Sequence, residues 1–240
     1  MSDSLVTASQ PSDLPVTPQS LPACLGFVAG IVDVTSWLTL GGLFTAHITG
    51  NLVVMAADAL NGRPMHPTQV LAVPMFIIVA AVLTIIVRRR RMEAGKIQDA
   101  FLILQSVLLT FAALVAFTAR PSLAPLAADA GIVAMLAVAA MASQNALLHL
   151  STKPSPTTAV MTGNIVACTL SLVSIVMYRP SDYDAARKQW HDTWPVLAGF
   201  LLGCIAGSVF VHFWKDGART AAAVASIASA VWIRTVRRPS

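Results

Sequence analysis

What most constrains this chain is the length of its apolar blocks. The stretches 21–43, 44–60, 69–87, 99–119, 130–150, 158–178, 193–214 and 218–233 are nearly free of charge. Most have the roughly 17–25 residues that a helix needs to cross a bilayer. In lipid the backbone must satisfy its own polar groups, so such blocks are helices. A soluble helical core would show polar faces, and about twice the 11% of charged residues found here. The expected fold class is therefore all-α: a polytopic membrane helix bundle of about seven transmembrane segments, within a range of six to eight.

Residues 1–20 are polar, with Pro11, Pro15 and Pro18 and neither Lys nor Arg. A signal peptide needs a basic start and an apolar centre. This stretch reads instead as a disordered tail. Residues 235–240 form a short basic tail at the other end. Cys24, Cys168 and Cys204 lie singly within apolar blocks, without metal-binding or redox spacing, and read as small packing residues.

The net charge of +5 reflects topology rather than a nucleic-acid surface. The run "RRRRMEAGK", 88–96, marks that loop as cytoplasmic, because loops rich in Lys and Arg stay inside. Three topologies follow. With seven crossings and the last block lying on the membrane, 11 basic residues are inside and 5 outside. With eight crossings the count is 8 against 8. If the two blocks that begin with Thr-Gly-Asn re-enter instead of crossing, six crossings remain and the count is 12 against 4. Charge does not separate the first from the third. The length of the block at 158–178 favours seven crossings, with the N-terminus outside.

"HITGN" at 47–51 reappears as "VMTGN" at 160–164. The block before each copy holds a polar cluster, "GIVDVTSW" with Asp33 and "MASQNALLH" with Gln144 and Asn145, and an apolar run follows each. The matched order predicts two related halves, 21–119 and 120–234. If every segment crosses, the halves run parallel; if the Thr-Gly-Asn segments re-enter, they run inverted.

These residues carry a resemblance. Gly26 to Asn51, with Asp33, "LTLGGLF" and "HITGN", is similar to the YoaK-like family of bacterial inner-membrane proteins. So is the second half, with Gln144, Asn145 and "PTTAVMTGN". The resemblance covers nearly all of the chain after residue 20. It implies a small multi-pass protein of the bacterial plasma membrane, classed as a domain of unknown function, and assigns no substrate and no catalytic residue.

The chemistry is read from the residues themselves. Asp33 is the one carboxylate near the middle of an apolar block. Such a group faces protein or water and commonly serves function; the competing reading is a structural hydrogen bond. Thr49, Gly50, Asn51 and Thr162, Gly163, Asn164 fit the broken helices of transporters, where freed backbone and amide groups hold a solute at membrane depth. Gly41 and Gly42, and Pro154 and Pro156, supply breaks just upstream. Close helix packing is the alternative, and it has the better claim at Gly26, Gly30, Gly199, Gly203 and Gly207. His47 and His149 are candidate proton carriers or interfacial anchors.

No nucleotide-binding loop, hydrolase motif or metal-ligand cluster is present, so no enzyme activity, cofactor or metal is expected. The expected role is a small secondary transporter or permeability protein for an unidentified solute, with Asp33 as the group that would couple it to protons. The alternative is a non-transporting scaffold or sensor subunit. The bilayer and a small solute are the expected partners, and a homo-oligomer is compatible with the sequence. Asp33, Thr49, Asn51, Gln144, Asn145, Thr162 and Asn164 are expected to line one shared polar pocket.

Overall fold

A computed structural model describes residues 20–63, 66–151, 158, 161–177 and 183–237. The expected N-terminal tail, up to residue 19, and the breaks at Pro154 and Pro156 lie outside the described residues. Helix α1, Ser20–Thr39, ends where Gly41 and Gly42 take φ of 70° and 79°, a region that glycine enters at little cost. Residues 40–47 are not helical, and α2, Ile48–Leu60, follows. Helix α3, Pro67–Arg90, starts with proline at its first position, where the missing N–H would have had no helical partner. Next come α4, Ala94–Ala119, α5, Ala128–Ser151, and α6, Met161–Met177. Helix α7, Tyr183–Trp214, passes through a 3-10 turn at Lys215–Ala218 into α8, Arg219–Arg237. The described residues contain no strand.

Five stretches are long and apolar enough to cross a membrane: α1, α3, α4, α5, and a 54-residue stretch, Tyr183–Val236, that takes in α7 and α8. The chain is thus an all-helical bundle of membrane type. Two expectations change. The segment 179–192 is not all loop: α7 begins at Tyr183, because its start, "DAARKQ", is made largely of good helix formers. Helix α2 is shorter than a full crossing, and the described part of α6 stands at the lower limit of one. Helix α2 has 13 residues and α6 has 17, or about 20 and 25 Å of rise against a hydrocarbon core of about 30 Å.

Burial separates centre from rim. Helix α1 buries 13 of its 20 residues and α5 buries 16 of 24. Helix α2 buries only Asn51, and α6 only Met161, Asn164 and Ser171. The outer helices turn Ile77, Ile78, Phe111, Leu114, Leu201 and Ile205 outward, as lipid-facing surfaces would. Packing crosses between distant parts of the chain. Helix α1 lies against α7 and α8, and α5 lies against α3 and α4. Helix α2 rests on α3, and α6 on α7.

The α1–α7 contact is a glycine seam. A Cβ on Gly26 would sit 2.6 Å from the carbonyl oxygen of Val196. One on Gly30 would strike the Phe200 carbonyl, one on Gly199 that of Ala23, and one on Gly203 that of Phe27. Only backbone without side chains can come this close, which is how membrane helices gain dispersion contact. The seam advances in step along both helices, so α1 and α7 run parallel.

Helix α8 runs antiparallel to both α1 and α4. Its end is tied to the start of α1 by Trp232 Nε1–H donating to Ser20 Oγ at 3.1 Å, and to the start of α4 by Arg234–Asp99 at 3.4 Å. At its beginning, Arg219 donates to Thr39 Oγ1 near the end of α1, at 2.6 Å. Asp216, just before α8, accepts from Ser122, just after α4.

Candidate functional site

Asp33 lies six residues before the end of α1 and is 3% exposed. The chain after Gly41–Gly42 folds back so that residues 45–47 surround the carboxylate. Asp33 Oδ1 accepts from the Thr45 N–H at 2.7 Å, the Ala46 N–H at 2.7 Å and the Thr45 hydroxyl at 2.9 Å. Oδ2 lies 2.6 Å from His47 Nδ1. Backbone N–H groups only donate, so Oδ1 is held as an acceptor. Oδ2 is the oxygen left without backbone donors, and it faces His47. The carboxylate also sits at the start of α2, where the helix dipole favours negative charge.

The Thr-Gly-Asn of the first half builds this fold-back, and its Gly50 also lines the cavity beside Asp33. Asn51 accepts from the Phe44 N–H at 2.9 Å and donates to the Phe44 carbonyl at 2.7 Å, which requires a side chain with both functions. A Cβ on Gly50 would approach the Phe44 ring to 2.7 Å. Thr49 is exposed. From the side, Gln69 on α3 donates to the Gly42 carbonyl at 3.2 Å. Trp37 and Phe44 pack with ring centres 4.7 Å apart.

A cavity of about 500 Å³ opens beside the dyad, lined by Asp33, Trp37, Phe44, His47, Phe200 and Cys204, with Gly50 at its edge. His47 is about one-quarter exposed and meets the Phe200 ring edge-on at 5.0 Å. Its Nε2 makes no hydrogen bond to a described residue. The wall is apolar apart from the acid and the imidazole, the lining expected of a small-ligand site with few polar anchors.

The second half holds a counterpart made of amides. Gln144 accepts from Gln105 Nε2 at 2.9 Å, and its own Nε2 donates to Thr158 Oγ1 at 2.9 Å and the Leu25 carbonyl at 3.1 Å. The Thr158 hydroxyl donates to Asn145 Oδ1 at 3.4 Å. Asn164 is buried, with Nδ2 3.8 Å from Met161 Sδ, whereas Thr162 and Gly163 are exposed. The expected single pocket is therefore corrected to two clusters, because the halves meet along their long helices and not through α2 and α6. Gln144 meets α1 at Leu25, eight residues from Asp33, or about 12 Å along the helix.

Of the two candidate proton carriers, His47 is in the site. His149 is exposed in the last turn of α5, beyond Gln144 and away from Asp33. Sequence reasoning missed Thr45, Thr158, Gln105 and the buried Arg219. The two threonines could have been found: Thr158 follows Thr45 by the same 113 positions that separate the Thr-Gly-Asn copies. The glycines at 26, 30, 199, 203 and 207 do pack helix on helix, as read.

No curated protein and no solved structure matches the chain. Residues 21–233 match the family described as "Protein of unknown function (DUF1275)", which takes in the YoaK-like proteins. The resemblance carried by Asp33, Gln144, Asn145 and the paired Thr-Gly-Asn motifs thus has its place: the chain belongs to the DUF1275 family.

Proposed function

We propose that this protein is a small secondary transporter or permeability protein of the bacterial plasma membrane, coupled to protons through Asp33 and His47. The observation that carries the reading is a buried carboxylate whose one oxygen without backbone donors faces an imidazole at the wall of a cavity of about 500 Å³. Intramembrane acids of this kind mark proton and ion paths. In this reading His47 passes a proton between the cavity and Asp33 Oδ2. The cavity would take a solute with an apolar body and one polar group.

The architecture supports the reading. A displacement of 113 pairs α1 with α5 and α2 with α6, a somewhat larger one pairs α3 with α7 and α4 with α8, and the main packing partnerships of one half have their images in the other. Since α8 is antiparallel to both α1 and α4, those two are parallel, which supports an α2 that re-enters between them. The parallel run of α7 and α1 supports the same for α6. This favours six crossings in two inverted halves of three, each with a re-entrant half-helix, over the expected seven. It also brings the N-terminus inside, with the 12-to-4 distribution of basic residues. Half-helices whose irregular backbone is shielded by protein are the substrate-binding device of repeat-built transporters.

The test is uptake from a panel of small metabolites into proteoliposomes under an imposed pH gradient, with internal pH recorded. Solute-dependent proton movement that is lost in Asp33→Asn would support the proposal. Stable co-purification with a partner and no flux of any solute would favour a scaffold or sensor subunit instead.

A further inference from the structure

The opposite charge chemistry occurs at the end of the bundle where α4 and α7 finish. In the six-crossing reading this is the outer side, where only four of the chain's basic residues lie: Arg63, Arg120, Lys215 and Arg219. Three of the four converge. Arg120 and Lys215 line one cavity of about 580 Å³, together with Phe117, Ser122, Trp214, Thr220 and the carboxylate Asp216. Arg219 lies beneath, 4% exposed, donating to Thr39 and to Ser36.

The acid of this region does not cancel the cations in the cavity. Asp216 is engaged by the Ser122 N–H at 2.9 Å and the Ser122 hydroxyl at 2.5 Å, and its charge is set against that of buried Arg219. Arg120 and Lys215 are left uncompensated, each exposed and without an ion-pair partner among the described residues. Both stand in the left-handed region, at φ 43° and 45°, a conformation that side chains other than Gly and Asn adopt at a cost of roughly 1–2 kcal/mol. Cations at helix C-termini gain from the dipole, but that accounts for each residue singly. Arg91 takes the same conformation at the end of α3, so what sets Arg120 and Lys215 apart is that the two meet at one cavity. The Thr220 hydroxyl and the apolar walls of Phe117 and Trp214 complete a site with cationic, hydrogen-bonding and apolar elements.

We propose that this cavity binds a phosphate group between Arg120 and Lys215, supplied either by an anionic lipid headgroup or by a soluble phosphate. The site is separate from the Asp33 cavity and does not depend on transport; only its assignment to the outer side rests on the six-crossing reading. The test is thermal stabilisation of the purified full-length protein in neutral detergent, titrated separately with phosphatidylglycerol, phosphatidylcholine and inorganic phosphate. Stabilisation by phosphatidylglycerol alone identifies a lipid site, and stabilisation by inorganic phosphate a site open to soluble anions. In either case Arg120→Gln/Lys215→Gln should weaken the apparent affinity at least about tenfold, whereas Arg63→Gln should leave it unchanged. Lys215→Gln alone, at an exposed position, gives the same reading if the double variant folds poorly. Equal stabilisation of wild type and Lys215→Gln, or no stabilisation of wild type by either anion, would overturn the proposal.

Discussion

At the scale of single residues, Asp33 is held by an uneven set of donors, and its substitutions should separate accordingly. Asn keeps one oxygen for Thr45 and Ala46 and can present its amide to the other tautomer of His47. Asp33→Asn should therefore fold within about 1–2 kcal/mol of wild type, while losing proton-coupled activity. Asp33→Leu strands two backbone N–H groups and a hydroxyl, and should lose about 3 kcal/mol or more. Denaturation in detergent checks both. If Asp33→Leu is as stable as Asp33→Asn, the carboxylate does not hold the fold-back.

His66, at the cap of α3, offers a second test. Burial against the loop at Gly41 lowers its pKa from the ordinary 6.5, with Asp58 partly opposing. The unfolded chain then binds the proton more readily than the folded one, so stability rises with pH across this window. The contribution is full above 6.5 and is lost as pH falls below it towards the folded value. Between pH 7.5 and 5.5, His66→Gln should show a smaller fall in melting temperature than wild type.

At the scale of elements, Gly50 and Gly199 differ in what surrounds them. Gly50 faces the end of a side chain, Phe44, which can move; Gly199 and Gly203 face backbone, which cannot. Gly199→Ala and Gly203→Ala should each wedge α1 from α7 and cost about 1–3 kcal/mol, more than Gly50→Ala. A detergent stability series decides the order. The sequence made much of this legible, since small residues every four positions announce a close helix contact and a lone acid in an apolar block announces a site. It did not disclose what Asp33 touches. Block length alone cannot distinguish a crossing from a fold-back, and only Gly41–Gly42 hinted that the chain reverses direction at residue 40. Thr45 belongs to the reversal and so was hidden with it, and His47, though singled out, was not tied to Asp33. Gln105 and Arg219 were missed because a polar residue on an otherwise apolar helix looks the same whether it faces lipid headgroups or a buried neighbour.

At the scale of the whole molecule, the parallel run of α1 and α4 makes topology measurable. In a protein stripped of its native cysteines, a cysteine at 95 should resist an impermeant thiol reagent applied from outside. One at 217 should react and one at 188 should not. The seven-crossing arrangement predicts the reverse at the last two positions, so a single labelling experiment separates them.

The exchange of partners between halves also bears on how the protein is made. Helix α1 leaves the ribosome well before α7, yet its glycine seam is filled only by that helix, some 170 residues later. At about 5–20 residues per second, that is a wait of roughly 10–35 s. Throughout it, α1 must sit in the membrane with its seam uncovered, sheltered by the insertion machinery or by surrounding lipid. Neither half can mature alone, because each completes the other's centre. Fragments 1–119 and 120–240 should be degraded when expressed singly and should accumulate together when expressed in the same cell. Independent accumulation of either one would mean that the seam forms too late to matter for survival of the nascent chain.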